Sequence, residues 1–141
     1  MIYDFIKATL DGLGYENAQD TPFSQTHDFD GMLFVYTASN EAITDYTIGG
    51  RIMDFNQEFK IYGITSDQFV ENSLNDGMGK RLFQIFGQMK ASLPQTVVDS
   101  NGNHLIVDVI NPSIQYEGTD NKQLRVTSLT FDVLWTYRFG D

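Results

Sequence analysis

The chain has 141 residues, no cysteine, and nineteen acidic against nine basic residues, a formal net charge of −10. That length suits one domain able to bury a core unaided, and the missing cysteine excludes disulfides and thiolate metal sites and fits intracellular assembly. The acidity disfavours binding nucleic acid through its phosphates, which takes clustered Lys and Arg, and no apolar run approaches the ~20 residues that span a bilayer.

The first residues carry charges inside an apolar pattern, unlike the basic start and unbroken apolar core of a signal peptide. Ile2, Phe5, Ile6, Leu10 and Leu13 fall on one helical face, and Gly12 and Gly14 are natural stops, so the spacing predicts a helix over 2–12. Residues 15–30 are polar and interrupted by Pro22, and read as a loop. Residues 32–37 (Met-Leu-Phe-Val-Tyr-Thr) form a short run of strand formers. Residues 38–50 read as a second loop, ending in Gly49-Gly50. Ile43, Tyr46 and Ile48 give that stretch more apolar surface than an idle loop needs.

A strict alternation follows. Phe55, Gln57, Phe59 and Ile61 face one way and Asp54, Asn56, Glu58 and Lys60 the other, which predicts a half-buried strand with one wet face. Ser66 and Asp67 are good helix N-caps. Beyond them Val70, Leu74, Met78, Leu82, Ile85, Phe86, Met89 and Leu93 recur at steps of three and four up to Pro94. Gly77 and Gly79 weaken this stripe by up to ~1 kcal/mol each relative to Ala, but its phase is unbroken, so one long helix is expected.

Asn101-Gly102 is a two-residue turn signal, expected to join a short strand at 96–99 to a longer one near 104–110. Asn111-Pro112 interrupts the latter as a bulge or edge position would, and Ile114 and Tyr116 resume it. After a turn at 118–122, a final strand is expected from about 124 to 139. There Leu129, Phe131, Val133, Trp135, Tyr137 and Phe139 all fall on one face, which demands a packing partner. The whole reads as a single α+β domain: a mainly antiparallel sheet with two helices packed on one face, in the order α-β-β-α-β-β.

Catalytic signals are weak. His27 lies near two carboxylates in Thr26-His27-Asp28-Phe29-Asp30, but catalytic zinc usually needs three protein ligands and the other histidine, His104, is distant in sequence. Asp99-Ser100-Asn101-Gly102-Asn103 lacks the run of acids and the closing Glu of a calcium loop. A nucleophile elbow, a phosphate loop and a dinucleotide fingerprint are all missing. No catalytic residue, metal ligand or cofactor is therefore expected. Lys80-Arg81, the one adjacent basic pair, reads as a solvated helix face or as a contact for an acidic neighbour. Trp135 reads as core or as an interface anchor.

The element order resembles the tail-terminator proteins of long-tailed bacteriophages, such as those of the lambda-like phages. Residues 31–37 look like the family's early strand, and 56–62 like its second main strand, followed by the long helix. Residues 124–137 are similar to its aromatic-rich terminal strand. The resemblance implies a non-enzymatic virion protein, assembled in the host cytoplasm and placed at the head-proximal end of the tail. It implies self-association into a ring, a hexamer, that caps the tail tube, stops its polymerisation and offers a surface to a head-completion or neck protein. DNA would pass through such a ring without specific binding, and no membrane would be involved. Ile43, Tyr46, Ile48, Lys80 and Arg81 are the candidate subunit contacts. The alternatives are a related neck, tail-completion or tail-tube component, or a small α+β ligand-binding domain or enzyme.

Overall fold

The computed structural model describes residues 2–15, 18–19, 32–46, 52–66, 77–99, 102–117 and 124–139. Its elements are α1 (Ile2–Gly12), β1 (Ala18–Gln19), β2 (Met32–Tyr46), β3 (Ile52–Ser66), α2 (Gly77–Ala91), β4 (Gln95–Asp99), β5 (Gly102–Glu117) and β6 (Leu124–Phe139). The strands form one sheet in the order β1-β2-β3-β6-β5-β4. Among the described strands, only the two-residue β1 runs parallel to its neighbour; every other pairing is antiparallel. The α+β architecture expected from the sequence is the one observed.

The helices lie over one face of the sheet because each offers a single apolar stripe that must leave water. Ile2, Phe5, Ile6 and Leu10 of α1 are buried, as are Met78, Leu82, Ile85, Phe86 and Met89 of α2. They share one core with Phe34 and Tyr36 of β2, Phe59 and Ile61 of β3, and Leu129, Phe131 and Val133 of β6. Each such side chain contributes roughly 1.5–3 kcal/mol when fully buried, before the entropy of ordering it. Gly14, at φ 85°, ends α1 in the left-handed conformation that favours glycine. The chain turns there, the Tyr15 N–H donates to the Leu10 carbonyl at 2.9 Å, and the Tyr15 ring comes to rest on Phe34. Leu13 falls just past the end of α1, before Gly14, and is exposed, although its spacing matches the α1 stripe.

Three expectations need correction. Residues 38–46 are not a loop: β2 is a strand of 15 residues, and its continuation through Ile43 and Tyr46 pairs with β3. Ser66 does not cap the second helix but closes β3, while α2 is described from Gly77; Val70 and Leu74 lie outside the described residues. Gly102 is not a turn residue but is paired opposite Asp99, so the hairpin connection falls on positions 100–101. The break at Asn111-Pro112 is a β-bulge, seen as a register shift between Ile110 and Ser113, with Asn111 at φ 58°.

A smaller apolar cluster of Val35, Ile64 and Val126, with Tyr62 against it, is separate from the main core. Positions 62 and 64 alternate with the core residues Phe59 and Ile61, so this cluster belongs to the side of the sheet opposite α1 and α2.

Candidate functional site

The strands are longer than the helices that cover them. Three contacts mark where α1 and α2 sit. The backbone N–H of Ala38 donates to the Tyr3 hydroxyl at 3.1 Å. Gly63 passes directly beneath Met78, where a Cβ would collide with the Met78 thioether. Lys90 reaches Asp108 and the Val109 carbonyl on β5. Past these points β2, β3, β6 and the start of β5 run on as a projecting end of the sheet. From Phe55, in this end, to Gly63 under α2 is roughly 26 Å at ~3.3 Å per strand residue.

Register aligns two rows of residues across the projecting end. In the first, Ile43 pairs with Phe55, Phe55 with Trp135, and Trp135 with Ile106. In the second, Tyr46 pairs with Met53, Met53 with Tyr137, and Tyr137 with His104. Ile106 is fully buried, whereas Trp135 and Phe55 are half-buried. The Phe55 and Trp135 rings stack with centroids 4.1 Å apart and planes 9° apart. Trp135 thus stands at the margin of the core, touching it on one side and the projecting end on the other.

Two bulges shape β2 here. Register shifts between Ala38 and Asn40, and between Ile43 and Asp45. Each inserts one unpaired residue, which bends the strand and switches which side chains share a face. Before the first bulge the even positions Phe34 and Tyr36 belong to the core; after it, position 43 stands opposite Phe55.

The predicted contact residues fall into two groups. Ile43 and Tyr46 occupy the projecting end by register, and Ile48 lies outside the described residues. Lys80 is exposed and Arg81 half-buried, both near the start of α2, which approaches Gly63 and Ile114 at the opposite end of the sheet. The structure therefore brings Ile43 and Tyr46 together but separates them from Lys80 and Arg81. Sequence reasoning missed Phe83, which is 54% exposed on α2, and Leu105 and Val107, both exposed on β5. Phe83 carries a sequence signal: it lies off the stripe of Leu82, Ile85, Phe86 and Met89, so a helix buried on that stripe must present it outward.

Among the described residues one ionisable group is clearly perturbed. The hydrogen bond from Lys90 holds the Asp108 carboxyl below its ordinary value, opposed by burial and helped by the Val109 N–H and the Lys90 charge. The bonds are 3.0 Å from Lys90 Nζ and 2.8 Å from the Val109 N–H, both to Asp108 Oδ1. This arrangement ties the C-terminal turn of α2 to β5. Among the described residues no three His, Asp or Glu side chains lie close enough together to hold a metal ion, and no helix is long and apolar enough to cross a membrane. His27 lies outside the described residues.

No protein-family model and no curated protein sequence matches the chain. Its fold is similar to that of a chain in the virion of a native gene transfer agent particle, with a TM-score of 0.50 and 13% sequence identity. The likeness covers 99% of this chain and 92% of the other. At that identity it is a likeness of fold, from nearly one end of each chain to the other.

Proposed function

We propose that the protein is a structural component of a phage-type virion, and within that class a tail terminator. Copies assemble into a ring, a hexamer, which caps the tail tube, halts its growth and offers its free side to a head-completion or neck protein. The observation that carries this reading is the near full-length likeness of fold to a chain in a virion. Fold alone warrants analogy, and two features of this chain add to it. The sheet extends past its own helices with half-buried aromatics that a neighbouring copy would cover. A net charge of −10 would let DNA pass through a ring without adsorbing.

Ile43, Tyr46 and Ile48 on one side, and Lys80 and Arg81 on the other, serve as subunit contacts. Ile43 and Tyr46 lie at the opposite end of the sheet from Lys80 and Arg81, a separation that suits a ring, whose closure needs two different surfaces of each subunit to meet. The test is electron microscopy of purified tails mixed with the protein. Tails bearing a single added ring at one end, at fixed length, support the reading. Open-ended tubes of the protein itself would favour a tail-tube component. Tails left bare at every protein concentration would refute the terminator role.

A further inference from the structure

We propose, building on the ring reading above, that the ring closes by docking the exposed face of α2 in one copy onto the side of the sheet opposite α1 and α2 in the next. The α2 segment contains Lys80, Arg81 and Lys90 and no acidic residue, in a chain whose net charge is −10. Lys90 is engaged within the chain by Asp108, whereas Lys80 and Arg81 form no ion pair with another described residue. Beside them Phe83 is 54% exposed, and one turn on, Gly87 has open space where a Cβ would stand. A glycine in mid-helix costs up to ~1 kcal/mol relative to alanine, and among the described residues nothing requires it there. The face is thus basic, with a protruding aromatic beside a notch that admits a partner's backbone.

The complementary surface lies on the other side of the molecule. Phe59, Ile61, Leu129 and Phe131 point under the helices, so the alternating residues Glu58 and Asp132 point away from them. These two are directly paired across β3 and β6, with Asp54 on the same side near them. Lys60 and Arg138 bound this acidic patch at either end of the same side. Leu134, half-buried, and Leu105, 38% exposed, supply apolar surface beside it; by register Leu105 stands opposite Thr136. One surface is therefore apolar and basic, the other apolar and acidic, and they face in opposite directions. Opposed charge fixes partner and register. Two unlike patches on opposite sides produce a head-to-tail contact, which repeats until it closes. A second copy of this chain is the occupant that carries both halves.

The test uses charge reversal on each surface of the full chain, read by light scattering. Lys80→Glu with Arg81→Glu gives a chain acidic on both surfaces, and Glu58→Lys with Asp132→Lys gives one basic on both. Each variant alone should lose at least tenfold in association, and an equimolar mixture should recover assemblies of wild-type mass, because an even-numbered ring can alternate the two. Phe83→Ser, at an exposed position, should also weaken association at least tenfold. Circular dichroism and melting profiles like those of the wild type establish that each variant is folded. Folded reversal variants that assemble normally alone, or whose mixture stays monomeric, overturn the docking scheme while leaving the ring itself standing. If a reversal variant does not fold, normal assembly of Phe83→Ser overturns the scheme instead. A wild-type chain that never self-associates, alone or with tails, overturns both.

Discussion

The indole of Trp135 lies flat on the ring of Phe55, with centroids 4.1 Å apart and planes 9° apart, at the line where the helix-covered core gives way to the projecting end of the sheet. Trp135 is the chain's single tryptophan, so its fluorescence reports on this boundary alone. Replacing Phe55 by Leu keeps apolar area but removes the aromatic pair, worth about 0.5–1.5 kcal/mol beyond burial. The expected outcome is a loss of that size in urea unfolding, with a red-shifted emission. An unchanged spectrum would mean that the stack does not order the indole in solution.

Gly63 of β3 passes directly beneath the Met78 side chain of α2. Gly63→Ala places a methyl group on the Met78 side chain in a buried site, so it should destabilise by about 1–3 kcal/mol, as overpacking does. Met78→Ala relieves the collision. The double variant should therefore be more stable than the sum of the two single losses predicts, with a coupling of at least ~0.5 kcal/mol in a denaturation cycle. Additivity would contradict the contact.

Lys90 depresses the Asp108 carboxyl, so the folded state binds that proton less readily than the unfolded chain. Stability from this pair is present above the ordinary carboxylate pKa of about 3.9 and is lost as pH falls through the depressed value. Both side chains are substantially exposed, 50% and 38%, which limits the contribution to about 0.2–1 kcal/mol. Lys90→Met should raise the Asp108 pKa, followed by carboxyl NMR titration, and should lose stability of that size at neutral pH while leaving stability near pH 2 little changed.

Asn111 turns the β5 bulge at φ 58°, and its side-chain amide donates to Asp132 at 3.0 Å. A β-branched residue is strained in that region, so Asn111→Val should cost about 1–3 kcal/mol. Asn111→Gly satisfies the backbone and loses only an exposed hydrogen bond, so thermal melting should show a cost of no more than about 1 kcal/mol. Equal losses for the two variants would mean that the conformation at 111 is not what matters.

The pattern of success in the sequence follows where alternation survives. In β6 it runs unbroken from Leu129 to Tyr137, and the strand was found at its observed limits. In α1 the i, i+3, i+4 spacing and Gly14 made both ends legible. In β2 it fails, because the bulges after Ala38 and Ile43 each shift the side-chain phase by one, so a paired strand reads as an irregular polar stretch. Ile43 and Tyr46 stand out as too apolar for an idle loop, and both belong to β2. That Lys80 and Arg81 stand at the far end of the sheet was beyond sequence, since it depends on how α2 crosses β3 and β5. The exposure of Phe83 was readable from its place off the stripe and went unread, because an aromatic beside Leu82 passes for core.

The most direct test of the central claim is the solution mass by light scattering, over a range of concentration and salt, alone and with purified tails. The account predicts a discrete ring, or tails capped at fixed length, with association weakening as salt screens the charged contact. A chain that stays monomeric throughout and ignores tail ends would contradict it.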